Sequence, residues 1–218
     1  MSVEWRDKIV RVTGQALRDL SLKPRSMDLK DKKHSELEIV LRESLDDLGL
    51  KSAKAQGLGT YITSYHKLQL CPTTACYLLF EGHTAIGLLK VGVKQLFVAP
   101  PAASGLVCIN PLCVLDFFVS TQRQGLGKIL FDCMLIRERK TPAELAYDKP
   151  SVNLLGFLQK HYGLSRYIPQ TINFVIFNDY YRPHPQLEHM EISGLVEIPE
   201  SQRSKENLID FRKRRTPN

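Results

Sequence analysis

Residues 112–128 read LCVLDFFVSTQRQGLGK, and the fold is decided there. Leu112–Val119 is a β-favouring run, apolar except for one carboxylate, the mark of a central strand buried on both faces. A turn with two glycines follows. Leu126, Leu130, Cys133, Met134 and Arg137 then recur at helical spacing. Glycines at such a strand–turn–helix corner let backbone N–H groups approach a ligand, and the helix N-terminus adds the positive end of its dipole. Arg123 and Lys128 supply formal charge, so the corner suits a pyrophosphate. A Walker loop needs GxxxxGK[ST], which Gln122 and Ile129 break; a dinucleotide fingerprint needs GxGxxG, and here Lys-Ile-Leu follows GxG. The pattern that fits is Q/R-x-x-G-x-G/A after a central strand. Two glycines retained for helix packing is the alternative.

Outward from that corner the chain alternates between periods. Upstream, strand candidates occupy 76–81, 84–91 and 94–98, and the proline-containing stretch 99–111 reads as a surface loop. Further upstream, Ser35 and Glu38 have capping-box spacing, and Leu37, Leu41, Leu45 and Leu48 line one helix face. Gly49 is a candidate stop, although 51–56 has the propensity to continue. The first thirty residues give a strand-like run around 9–12 and then a polar stretch through Pro24. Downstream come a short strand at 144–147, a helix bracketed by Pro150 and Gly163, and a strand at 172–177. Strands of both hairpin and crossover type, interspersed with helices, predict one α/β domain with a mixed sheet over residues 1–195 and a basic tail over 196–218.

Composition narrows the function classes. At 218 residues, 43% hydrophobic and 24% charged, the chain can bury a core without staples. Five cysteines without a CxxC pair, and six histidines without ligand spacing, predict neither a disulfide framework nor a metal site. No apolar run reaches the roughly 20 residues of a membrane helix, and the charged N-terminus does not read as a signal peptide, so membrane insertion is not expected. The net charge of +7 lies at the ends: residues 1–33 hold nine Lys/Arg against five Asp/Glu, residues 201–218 six against two, leaving 34–200 at −1. A nucleic-acid partner would need a basic stripe on the body, so none is expected. The tail, above all Arg212–Arg215, reads as solubilising or as a grip on an acidic partner.

Several long words occur in a fixed order: AKAQGLGTYITS (53–64), IGLLKVGVKQLFV (86–98), CVLDFFV, QRQGLGKILF, LAYDKPSVNLLGFLQKHYGL and IPQTINFVIF. Over roughly 35–180 this series resembles the α-tubulin N-acetyltransferase family, within the GCN5-related N-acetyltransferase superfamily. It departs from the family in a connection to Gln122 about two residues shorter, in Lys149 where Arg is usual, and in 99–111. The resemblance implies a largely antiparallel mixed central sheet flanked by helices, and acetyl-CoA as the cofactor. It also implies acetylation of the lysine that faces the microtubule lumen on α-tubulin, by direct transfer in a ternary complex. The implied setting is the cytoplasm and microtubule cytoskeleton, including ciliary or flagellar axonemes. A same-fold acetyltransferase for another protein or small amine, and a non-catalytic microtubule-binding module, are the competing readings.

The residues divide by role. Asp148, at a strand end before a Pro-started helix, is either a helix cap or, as in the resembling LAxD-x-PS word, the general base. Cys113 is either a packed strand cysteine or a second catalytic group, and Gln56 either a surface residue or a polar group at the lysine entrance. The resemblance places the cofactor on Phe118, Val119, Arg123, Gln124, Gly125, Leu126, Gly127, Lys128, Ser151 and Lys160. It places an acidic protein surface against Ile62, Lys67, Lys90 and Lys94, each of which also reads as solvated surface. Asp116, inside an apolar strand, requires hydrogen-bond partners and is expected to be structural.

Overall fold

The computed structural model describes residues 8–22, 29–101, 105–170 and 172–182. Its main sheet has six strands in the order β1 (Ile9–Thr13), β2 (Ala75–Glu81), β3 (Thr84–Val93), β6 (Leu112–Val119), β7 (Leu145–Asp148) and β8 (Phe174–Ile176). Every neighbouring pair is antiparallel except β6 and β7, which run parallel. A separate antiparallel pair, β4 (Leu96–Val98) and β5 (Val107–Ile109), holds part of the stretch expected to be loop. The helices are α1 (Gly14–Leu22), α2 (Leu29–Ala55), α3 (Tyr65–Gln69), α4 (Leu126–Glu138) and α5 (Val152–Tyr162). The mixed, largely antiparallel sheet flanked by helices is the architecture that the family resemblance implies.

Burial on both sides explains the apolar strands. On one face α4 and α5 press Leu130, Phe131, Met134 and Leu158 onto Tyr77, Leu89, Val114 and Tyr147. On the other, α1–α3 pack Leu17, Leu41, Leu45, Leu48 and Leu68 onto Val12, Cys76, Leu78 and Leu88. The same side is completed by β4, whose Leu96 and Val98 cover Cys113, Leu115, Ala146 and Ile176.

Two helix boundaries differ from expectation. Ser35 lies inside α2, which starts at Leu29, so no capping box forms there; the Lys/Glu/Leu-rich run simply favours helix on both sides of it. Gly49 does not stop α2 either. It is glycine because a Cβ there would stand 1.9 Å from the carbonyl oxygen of Thr63. A further helix, α1, occupies part of the stretch read only as polar. The expected tail over 196–218 lies outside the described residues.

Two irregularities of β6 shape one end of the sheet. Opposite β3, the register passes from Lys90↔Asp116 to Val91↔Val114, so Leu115 has no partner and β6 carries a bulge. Beside β7, pairing is confined to Leu112–Val114, so the five residues from Leu115 to Val119 have no strand along that edge among the described residues. The two parallel strands therefore part at their carboxyl ends.

Because the added methyl of Gly49→Ala would meet backbone, the loop holding Thr63 must shift. We expect a loss of roughly 1–3 kcal/mol in urea unfolding, the usual cost of overpacking. A variant as stable as wild type would show that the contact is not tight.

Candidate functional site

The crevice between β6 and β7 opens where two helices begin. In α4 the first intrahelical bond runs from Ile129 N–H to the Gly125 carbonyl at 3.1 Å. The N–H groups of Leu126, Gly127 and Lys128 therefore precede the helical ladder. Gly125, the cap, has no side chain to satisfy them. Its φ of +79° is the left-handed region that glycine tolerates, and a Cβ there would meet nothing within 4 Å. Gly127 is different: a Cβ would approach Phe117 Cζ at 3.3 Å, so this glycine serves close packing of α4 on β6. One glycine serves packing and the other an open, donor-rich turn. That arrangement fits a pyrophosphate, with the exposed Arg123 and Gln124 on the same turn.

The other expected cofactor residues lie on β6, α4 and α5. Phe118 and Val119 are half-buried on the part of β6 that pairs with β3 but not with β7. Lys160 is exposed on α5. Lys128 is already engaged: its Nζ pairs with Asp132 Oδ2 at 2.6 Å, and Asp132 Oδ1 accepts from the Tyr162 hydroxyl at 2.7 Å.

Ser151 decides how Asp148 is read. Its Oγ accepts from Leu154 N–H at 3.2 Å, so Ser151 is the N-cap of α5 and Asp148 is not. The cap role that competed for Asp148 belongs to a residue three positions on. Asp148 ends β7 with its side chain half-buried, and the next residue, Lys149, sits at φ +40°, a left-handed conformation unusual for a non-glycine. Lys149 is held there by its N–H bond to the Asn173 carbonyl at 2.8 Å. Burial raises the Asp148 carboxyl above the ordinary carboxylate value, opposed by the charges of Lys149 and Lys94.

Cys113 pairs with Ala146 across the parallel ladder, and Asp148 is two residues beyond Ala146, so both side chains leave the same face of the sheet. The thiol is fully buried, and Sγ lies 3.5 Å from the Pro111 carbonyl. Burial above all, with help from the Asp148 charge, pushes its pKa up to about 12. At neutral pH it is a neutral thiol.

On the same face and the same strand, Asp116 has the partners its burial demands. Oδ1 accepts from Ser52 Oγ at 2.7 Å and from Gln56 Nε2 at 3.1 Å; Oδ2 accepts from Thr63 Oγ1 at 2.6 Å. Gln56, at the end of α2, is thus tied to the strand that carries Cys113. Three residues of strand span about 10 Å, so Gln56 and Cys113 belong to one locale.

The proposed protein-contact residues separate. Lys94 is exposed close to Asp148 and Cys113, and its charge acts on both. Lys67 is exposed, with its Nζ donating to the Tyr61 carbonyl and lying over the Tyr61 ring. Ile62 is half-buried. Lys90 departs from expectation. It is only 7% exposed, stands opposite Asp116, and donates to the Ile62 carbonyl at 3.2 Å. Burial lowers its pKa, opposed by Cys76 and Asp116. Being buried, it cannot meet another protein's surface. Sequence reasoning missed Ser52 and Thr63, although Ser52 is four residues before Gln56 and so shares its helix face.

A family model described as "GNAT acetyltransferase, Mec-17" matches residues 3–207. The chain belongs to this family. It is 50% identical over 143 residues to "Alpha-tubulin N-acetyltransferase 1" of Trypanosoma cruzi, covering 65% of this chain and 44% of that protein. It is 45% identical over 178 residues to "Alpha-tubulin N-acetyltransferase" of Leishmania major, covering 80% and 72%. The chain thus spans about half the length of the first of these relatives. Among solved structures, an xEco2 acetyltransferase domain bound to a K105-CoA conjugate matches loosely, at TM-score 0.37 and 14% identity, over 78% of this chain and 92% of that one. Among the described residues no group of His, Cys, Asp and Glu is placed to hold a metal, and no helix is long and apolar enough to cross a membrane.

The raised Asp148 pKa fixes the sign of a stability experiment. At neutral pH the folded state carries a partly desolvated carboxylate, a penalty that disappears as pH falls through the folded pKa to the unfolded one. Asp148→Asn should therefore melt above wild type at pH 7, and the difference should shrink in acid. A variant less stable at pH 7 would make Asp148 a structural residue.

Proposed function

We propose that the chain transfers the acetyl group of acetyl-CoA to a lysine side chain. The carrying observation is the parting of β6 and β7, with unpaired amides on one side and an uncommitted, half-buried carboxylate on the other. When bound, acetyl-CoA supplies an activated acetyl thioester. The amides of Leu126, Gly127 and Lys128, with Arg123, would hold its diphosphate; Phe118, Val119, Ser151 and Lys160 would contribute to binding the rest of it. Asp148 is the general base. A lysine is almost wholly protonated at neutral pH, with an ordinary pKa of about 10.4, so a proton must leave Nζ before it can attack. A carboxylate whose pKa is raised accepts that proton more readily than an ordinary one.

Cys113 is assigned to shaping the acceptor side of the crevice and holding Asp148 in place. With a pKa of about 12 it holds little thiolate, which favours direct transfer in a ternary complex over an acetyl-cysteine route. Gln56 stands at the lysine entrance, with Lys67, Lys94 and the Ile62 loop around it for an acidic protein surface. The likeness to proteins named for α-tubulin supports the luminal lysine of α-tubulin as the acceptor, and microtubules in the cytoplasm, axonemes included, as the setting.

Incubation with acetyl-CoA and microtubules should yield acetyl-lysine on α-tubulin by mass spectrometry; acetylation of other proteins or of small amines alone would assign a different acceptor. Asp148→Asn should lower turnover by about a hundred- to ten-thousand-fold with cofactor affinity retained. Wild-type activity should rise with pH through the raised Asp148 pKa, and that acid limb should vanish in the variant. Near-wild-type turnover in folded Asp148→Asn would exclude the base. Gly125→Trp should abolish acetyl-CoA binding by calorimetry while circular dichroism is unchanged; retained affinity would place the cofactor elsewhere.

A further inference from the structure

Gln56 is exposed as a residue, yet its amide nitrogen is bound on the protein side by two atoms of a buried network. Ser52 and Thr63, at 1% and 0% exposure, donate their hydroxyl hydrogens to opposite oxygens of Asp116. Ser52 has then spent its one hydrogen, so its Oγ can only accept, and it accepts from Gln56 Nε2 at 2.8 Å. Asp116 Oδ1 is also an acceptor, and Gln56 Nε2 donates to it at 3.1 Å. Two acceptors thus face the Gln56 amide. A flipped amide would set Oε1 against a carboxylate oxygen and a spent hydroxyl, so only one orientation is compatible with the network.

In that orientation Nε2 is turned to the network, and Oε1 is left facing away from it. Among the described residues nothing donates to it. A carbonyl oxygen held in this way is an acceptor for an N–H donor entering from solvent, and the chemical class that matches is an alkylammonium. Lys90, packed opposite Asp116, is bonded to the Ile62 carbonyl on the same side of the network.

We propose that Asp116, with Ser52 and Thr63, is a positioning residue that fixes the Gln56 amide with its carbonyl outward, as acceptor for the incoming lysine ammonium. This rests on the acetyl-transfer reading for its substrate, but not for its geometry. The network orients the acceptor lysine and leaves cofactor binding alone.

The geometry is tested without activity. The paired side-chain N–H signals of Gln56, assigned by their loss in Gln56→Leu, should lie away from free-amide positions in a nitrogen-15 spectrum and exchange slowly. In Ser52→Ala and Thr63→Val they should move towards free-amide positions. Free-amide signals in the wild type would overturn the proposal, whether or not the protein acetylates. In turnover, Thr63→Val should lower kcat/KM for the lysine acceptor by about ten- to a hundredfold, the scale of an ångström-sized misplacement, with acetyl-CoA KM unchanged. Thr63→Ser should restore it. In a Gln56→Leu background, Thr63→Val should cost under about twofold more, because residues acting through one group are non-additive. Full additivity would make Thr63 merely structural and overturn the proposal. A wild type with slow-exchanging Gln56 signals but no lysine acetylation would leave the positioning geometry standing and sink the acetyl-transfer reading and the ammonium role with it.

Discussion

Between Lys90 and Val91 the register of β3 advances by one residue while that of β6 advances by two. The extra residue alters what β6 does on each side. Without it Leu115 and Asp116 would alternate across the sheet; with it Leu115 joins the core beneath β4 and Asp116 turns to the same side, where α2 and the loop ahead of α3 can reach its carboxylate. Bulges bend and twist the strand that carries them. β6 ends its pairing with β7 at Val114, next to the bulged Leu115, so the bulge and the opening of the crevice occupy the same few residues. A ladder that continued to Val119 would offer neither a free strand edge nor space above it.

Around that opening, structural and chemical duties fall to different side chains. Ser151 caps α5, which leaves Asp148 uncommitted. Gly127 packs α4 onto β6, which leaves Gly125 free to form an open turn. Asp116 absorbs the network of buried polar groups, while Cys113 remains a packed, neutral thiol. Such a division is physically economical. A carboxylate that holds a helix end is kept ionised by the N–H groups it binds, which lowers its pKa; Asp148, spared that duty, keeps the raised pKa that burial gives it.

Much of this was legible in the sequence, for reasons that identify what was not. Leu112–Val119, the glycine turn and the Pro150–Gly163 helix carry strong local signals, and they form where expected. The start of α2 was misplaced because Ser35 and Glu38 also suit a helix interior, and Gly49 suggested an end because the carbonyl of Thr63, which excludes a side chain there, lies fourteen residues away. β5 is three residues long and pairs only with β4, too short for any period to show. Lys90 read as surface because the carboxylate opposite it belongs to a strand 26 residues on. That Asp148 is spared the cap depends on the backbone beyond Lys149, and no spacing rule distinguishes it from Ser151.

The burial of Cys113 has a consequence for how the protein meets electrophiles and oxidants. Thiolate character and access set the order in which cysteines react. Cys71 and Cys108 are exposed, whereas Cys113 is enclosed and held as the thiol. Peroxide or an alkylating reagent therefore encounters two surface sulfurs before the enclosed one on β6. Chemical modification would first register at the surface, with the Cys113 thiol still enclosed beneath it.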